Sequence, residues 1–167
     1  MNQPIRMIRT VLTVVMAVFL CTGGAIAEGG GQKNDPCTLL IKAEIQAAVG
    51  QNVGDGALNT KANLTAGAIC EFKVGDYGAF SILVKTTGPG ETADRTMTEL
   101  NKMKIPTAVA PGIGDHSFFS SPGYGMVQLN TFKGPSNLII TLMVPGATEA
   151  AQKTGAEQLM RKALLKI

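Results

Sequence analysis

Residues 69–86 read ICEFKVGDYGAFSILVKT, and their alternation decides the fold class. Cys70, Phe72 and Val74 fall on one face of an extended segment, and Glu71 and Lys73 fall on the other. After the turn residues Gly75-Asp76-Tyr77-Gly78, the period repeats over Ala79–Thr86, with Phe80, Ile82 and Val84 inward. Alternation bounded by glycines predicts two antiparallel strands joined as a hairpin with one buried face.

Toward the C-terminus, Gly88-Pro89-Gly90 ends the hairpin. Glu91–Met103 then carries a helical stripe of Ala93, Met97 and Leu100, which Pro106 stops. Beyond the loop Pro111-Gly112-Ile113-Gly114-Asp115, three strands are expected at His116–Ser120, Tyr124–Phe132 and Asn137–Val144. Turns at Ser121-Pro122-Gly123 and Lys133-Gly134-Pro135-Ser136 separate them. The last strand is apolar on both faces, which predicts a central position. Thr148–Lys166 closes the pattern as a helix, with Gln152, Ala156, Leu159 and Ala163 in one row and Gly155 as its weak point.

Toward the N-terminus, Asp35-Pro36 predicts a cap and a first helical position for a helix over Thr38–Val49, with a stripe of Ile41, Ile45 and Ala48 widened by Leu40. Gln51–Gly67 is polar and rich in small residues, with room for a short edge strand. The expected order is α-β-β-α-β-β-β-α, an α+β domain over residues 35–167. It has an antiparallel sheet of about five strands and helices on one face. The spacings between strands are too short for βαβ crossovers.

The first 27 residues carry an export pattern. Arg6 and Arg9 precede the apolar run Val11–Leu20, and Ala25-Ile26-Ala27 forms a small-residue cleavage site. The run is shorter than the ~20 residues that span a bilayer, which weighs against an uncleaved anchor. A third reading, lipidation at Cys21, meets the bulky Leu20 where a small residue is wanted. The expectation is a signal peptide at residues 1–27, a flexible Gly-rich leader at 28–34, and a periplasmic or extracellular domain without a transmembrane segment. Cleavage takes Arg6 and Arg9 from 15 basic residues and none from 12 acidic ones, leaving 13 against 12. No basic cluster remains to bind nucleic acid.

Of three cysteines, cleavage leaves Cys37 and Cys70. An even pair in an oxidising compartment reads as one disulfide, stabilising by roughly 3 to 4 kcal/mol through loop closure. Free or metal-bound cysteines are the alternative, and a metal site lacks partners because His116 is the only histidine.

Asp35-Pro36-Cys37-Thr38-Leu39-Leu40, Glu44, Gly50, Cys70-Glu71-Phe72 and Pro111-Gly112-Ile113-Gly114-Asp115 with Phe118 form a recognisable set. Over about residues 35–144 the chain resembles the DUF3558-type lipoproteins and their relatives. The resemblance implies an exported bacterial domain with two paired cysteines. It implies no catalytic residues, and the acylation signal here departs from that pattern.

Chemistry-bearing motifs are few. Asp115-His116-Ser117 invites a triad reading, but adjacent strand residues point to opposite faces. Gly112-Ile113-Gly114 lacks a dinucleotide or phosphate-loop fingerprint and reads as a turn. The carboxylates Glu71, Asp76, Glu91, Asp94, Glu99 and Asp115 are scattered, and no cofactor is expected. The aromatic residues Tyr77, Phe118, Phe119 and Tyr124 cluster around turns and short strands, and one of the adjacent Phe118 and Phe119 is expected to leave the core face. These four form the candidate binding surface, with methionines such as Met97, Met126 and Met143 able to line a groove. The expectation is a noncatalytic binding domain for an apolar small molecule, a peptide or an envelope protein. A structural or accessory subunit of an envelope complex is the rival, and a small hydrolase is the third class.

Overall fold

The computed structural model describes residues 35–59 and 67–167. The expected signal peptide at 1–27, with Cys21, and the expected Gly-rich leader at 28–34 lie outside the described residues. Within them the chain runs through a 3-10 turn (Pro36–Thr38), α1 (Lys42–Val49), β1 (Ala57–Asn59), β2 (Ala68–Val74), β3 (Gly78–Thr86) and α2 (Ala93–Lys102). It continues through β4 (Thr107–Val109), β5 (His116–Gly123), β6 (Met126–Lys133), β7 (Ser136–Met143) and α3 (Glu149–Leu164). One sheet holds the strands in the order β1-β2-β3-β7-β6-β5-β4, and every neighbouring pair is antiparallel.

The predicted hairpin is β2–β3, with Cys70 opposite Ile82 and Phe72 opposite Phe80. The doubly apolar strand, β7, holds the middle of the sheet between β3 and β6. The expected five-strand arrangement is wrong: the sheet has seven strands. The two additions, β1 and β4, are edge strands of three residues each, too short to carry an alternation. The expected short edge strand within Gln51–Gly67 is β1, whereas the sequence pattern assigns Thr107–Val109 to no element. The turn expected at Ser121-Pro122-Gly123 is also displaced. Those residues extend β5 across a register shift, and Tyr124-Gly125 makes the turn instead.

Nor do all helices share one face. One face buries Phe80, Ile82, Leu129, Leu138, Ile140 and Leu142 against Ile45 of α1 and Ala156, Leu159, Met160 and Ala163 of α3. At ~25 cal/mol per Å² of apolar surface, this face is the main source of stability. On the opposite face α2 sets Ala93, Met97 and Leu100 over Phe118 and Phe132. Thr92 caps α2 by accepting from the Arg95 amide at 3.2 Å, and Thr148 caps α3 by accepting from the Ala151 amide at 3.2 Å.

The first helix is split. Asp35 Oδ1 does accept from the Cys37 amide at 2.9 Å, but only a 3-10 turn follows. The backbone turns extended at Ile41 before α1 begins. A continuous helix spreads consecutive residues around its axis, whereas the break lets both Leu39 and Leu40 enter the core. It also seats Cys37 against β2, where the Cys37–Cys70 disulfide forms with Cα atoms 5.0 Å apart. Gly155, the predicted weak point of α3, lies where α1 crosses. A Cβ there would sit 3.1 Å from the Ala48 carbonyl oxygen.

The central glycine motif is a fold device. Ile113 is buried in the main core, and the Asp115 amide donates to the Phe132 carbonyl at 2.8 Å. Gly114 has φ +59°, and a Cβ there would meet Thr131 Cγ2 at 2.6 Å and the Phe132 carbonyl oxygen at 2.7 Å. Gly112 has φ +75° with open space around it. Gly114→Ala is therefore expected to cost roughly 2 to 3 kcal/mol in a urea melt, and Gly112→Ala about 1 kcal/mol, since only Gly114 adds a collision to the left-handed backbone. Equal losses would contradict the close approach. Among the described residues no helix is long and apolar enough to cross a membrane.

Candidate functional site

The four aromatic residues do not form one surface. Phe118 and Phe119 are both buried, at 0% and 6% exposure, because the two faces of β5 are covered by different helices. One of them does leave the main core face, but α2 covers Phe118 there, so neither is an exposed anchor. Tyr77 and Tyr124 are 84% and 93% exposed, on the β2–β3 and β5–β6 turns. The pairings Val74–Gly78, Ala79–Met143 and Gly123–Met126 bring both turns to one end of the sheet.

Tyr124 is held in an unusual way. It has φ +55° and Gly125 has φ +72°, so both residues of this two-residue hairpin loop are left-handed. That sign pattern belongs to the type I′ turn, whose usual occupants are Asn, Asp and Gly. A tyrosine there is strained by about 1 to 2 kcal/mol. Lys104 is the other described non-glycine residue with positive φ.

Buried Gln152, on the first turn of α3, fastens this end. Its Oε1 accepts from the Val144 amide at 3.1 Å, and its Nε2 donates to the Gly125 carbonyl at 3.2 Å. Gln51 Nε2 donates to the Pro145 carbonyl at 2.8 Å from the other side. Between the two tyrosines lies an open depression of about 320 Å³, walled by Met143, Pro145, Gly146 and Gln152. Among the described residues, no carboxylate, ammonium or guanidinium side chain lines it. A neighbouring depression of about 240 Å³ adds Ser121, Met126 and Glu149. There the Lys153 ammonium, 2.7 Å away, holds the Glu149 carboxyl below the usual carboxylate range. The site can thus offer two aromatic faces and a thioether to an uncharged group, with volume near the lower end for ligand pockets.

The remaining sequence candidates are dispersed. His116 is exposed and lines a cavity of about 270 Å³ under α2 with Asp94 and Asp115. Ser117 is buried, and its hydroxyl donates to the Ile113 carbonyl at 2.6 Å and pairs with the Thr131 hydroxyl at 2.9 Å, where its oxygen accepts. Asp115 Oδ2 accepts from the Gly134 amide at 2.7 Å. These three residues do not form a relay. Glu91 is engaged structurally: burial raises its pKa, but hydrogen bonds from Lys85, the Gly88 amide and Asn137 outweigh that and lower it. Among the described residues no group of three or more His, Cys, Asp or Glu is placed to hold a metal ion.

Sequence reasoning missed Gln152, taken only as part of a helix row, and the role of Pro145-Gly146-Ala147 as a wall. The Gly-Tyr-Gly run at 123–125 was the available signal, since flanking glycines mark a hairpin tip. Comparison with family models, curated proteins and solved structures finds no match to this chain.

Proposed function

We propose that the chain is an exported, noncatalytic binding domain of the DUF3558-like kind. It engages an uncharged ligand (an apolar small molecule, a peptide or a segment of an envelope protein) through the Tyr77–Tyr124 end. The observation that supports this reading is Tyr124 itself. The turn would be more stable with Asn or Gly, yet it carries an almost fully exposed aromatic ring beside an uncharged depression. Strain of this kind persists where it positions a contact group. Tyrosine suits the task because it presents a large amphipathic surface with only two side-chain torsions to immobilise.

The proposal has a signature that a merely decorative tyrosine lacks. Tyr124→Asn is expected to raise stability by about 0.5 to 1 kcal/mol while abolishing ligand retention. Tyr77→Ser is expected to leave stability within about 0.5 kcal/mol and to weaken retention. Native mass spectrometry of wild type and both variants, purified from their own envelope, reads retention, and urea melts read stability. An added mass retained equally by wild type and Tyr124→Asn would remove this end of the sheet from consideration.

A further inference from the structure

At the other end of the molecule, the last turn of α3 and the start of α1 form a second surface of different character. Leu165 is 86% exposed, Ile41 58% and Ile167 39%. Glu44 ties the two helices: Oε2 accepts from the Ile41 amide at 3.1 Å and lies 3.6 Å from Lys166 Nζ, while Oε1 lies 3.5 Å from Lys162 Nζ. Exposed aliphatic side chains and ammonium groups are therefore interleaved. Residues 158–167 contain Arg161, Lys162 and Lys166 and no carboxylate side chain. Lys133 adds its charge nearby by donating to the Leu164 carbonyl at 2.9 Å. Glu44 is the carboxylate inside the cluster, and Glu157 sits one turn back on α3.

Cations at a helix C-terminus complement the macrodipole, and that alone accounts for Lys133 and Lys162. It does not account for three exposed aliphatic side chains among them. We propose that this patch is a docking surface for an anionic phospholipid bilayer, with Leu165, Ile41 and Ile167 entering the headgroup region and Lys162 and Lys166 facing the phosphates; Arg161 is turned away to the Gly112 carbonyl, to which its Nη1 donates at 2.7 Å. Charge complementarity selects this occupant over a neutral protein face. Exposed aliphatic groups select it over a soluble polyanion, which would be matched by charge alone. Binding would be peripheral and reversible, because three side chains insert far less apolar surface than an acyl chain. The surface is independent of the tyrosine end.

Co-sedimentation with vesicles tests it, comparing mixed phosphatidylglycerol–phosphatidylcholine with phosphatidylcholine alone. Wild type is expected to partition at least tenfold more strongly onto the anionic vesicles, and the difference should shrink as salt rises. Leu165→Ser with Ile41→Ser is expected to lower that partitioning about tenfold. Both positions are exposed, and Ser is a good residue at the N-cap that Ile41 occupies, so the variant keeps its fold. Equal partitioning of wild type and variant would reduce the effect to nonspecific charge and overturn the proposal. So would retention on a heparin column without vesicle binding, or no preference for anionic vesicles.

Discussion

Replacing Phe118 by Ala is expected to destabilise the domain by about 3 to 5 kcal/mol, and Phe119→Ala by a similar amount. The two losses have different origins. Phe118 is covered by α2 together with Ala93, Met97, Leu100 and Phe132, so its removal hollows the smaller cluster. Phe119 belongs to the main core beside Leu129, and the Lys153 ammonium lies 5.4 Å from its ring centroid. Urea melts give the magnitudes, and hydrogen exchange gives the location. Phe118→Ala should speed exchange along Ala93–Lys102, and Phe119→Ala should leave that helix protected. A loss below 1 kcal/mol at Phe118 would mean that α2 does not cover the sheet there.

Reducing the disulfide is the second large effect, at roughly 3 to 4 kcal/mol. Cys37 and Cys70 are 33 residues apart in sequence, and closing that loop removes freedom mainly from the unfolded chain. The native state loses little packing, because Cys70 stays in the main buried cluster that also holds Leu39, Leu40 and Phe72. Peptide mapping without reductant should yield one fragment pair holding both cysteines, and melts with and without reductant should differ in midpoint. Two thiols that react with a labelling agent in denaturant before reduction would rule the bond out.

How much of this was legible depended on the length of each pattern. Alternation over nine residues placed β3, and an eight-residue run apolar on both faces placed β7 and made it central. Three-residue β1 and β4 carry no period, and they form because a neighbour offers an edge. The break at Ile41 escaped a periodicity argument because Leu40, Ile41 and Ile45 satisfy a helical stripe on paper. The demand that overrode it is tertiary, the burial of both Leu39 and Leu40 above a tethered Cys37. For the site, adjacency correctly placed Phe118 and Phe119 on opposite faces, but the inference that one face is open failed because α2 covers it. Tyr77 was legible from its turn, whereas Tyr124 was expected to open a strand and instead makes the turn. Gln152 was not, since nothing in a sequence announces that a glutamine in an apolar row will bridge two loops.

The strand order has a consequence for how the chain reaches this state. β3 takes its second neighbour from β7, roughly fifty residues later, rather than from the strand that next leaves the ribosome or a translocation channel. The half-sheet β1–β3 can close its disulfide with only residues up to 86 delivered, yet one edge of β3 then stays bare until residue 143 arrives. Pairing across such a separation is slow, and a bare apolar edge invites the wrong neighbour. Arrival order thus makes β7 the keystone. A truncation that removes it should leave an oxidised but self-associating fragment, while the loss of β4 would merely trim a border.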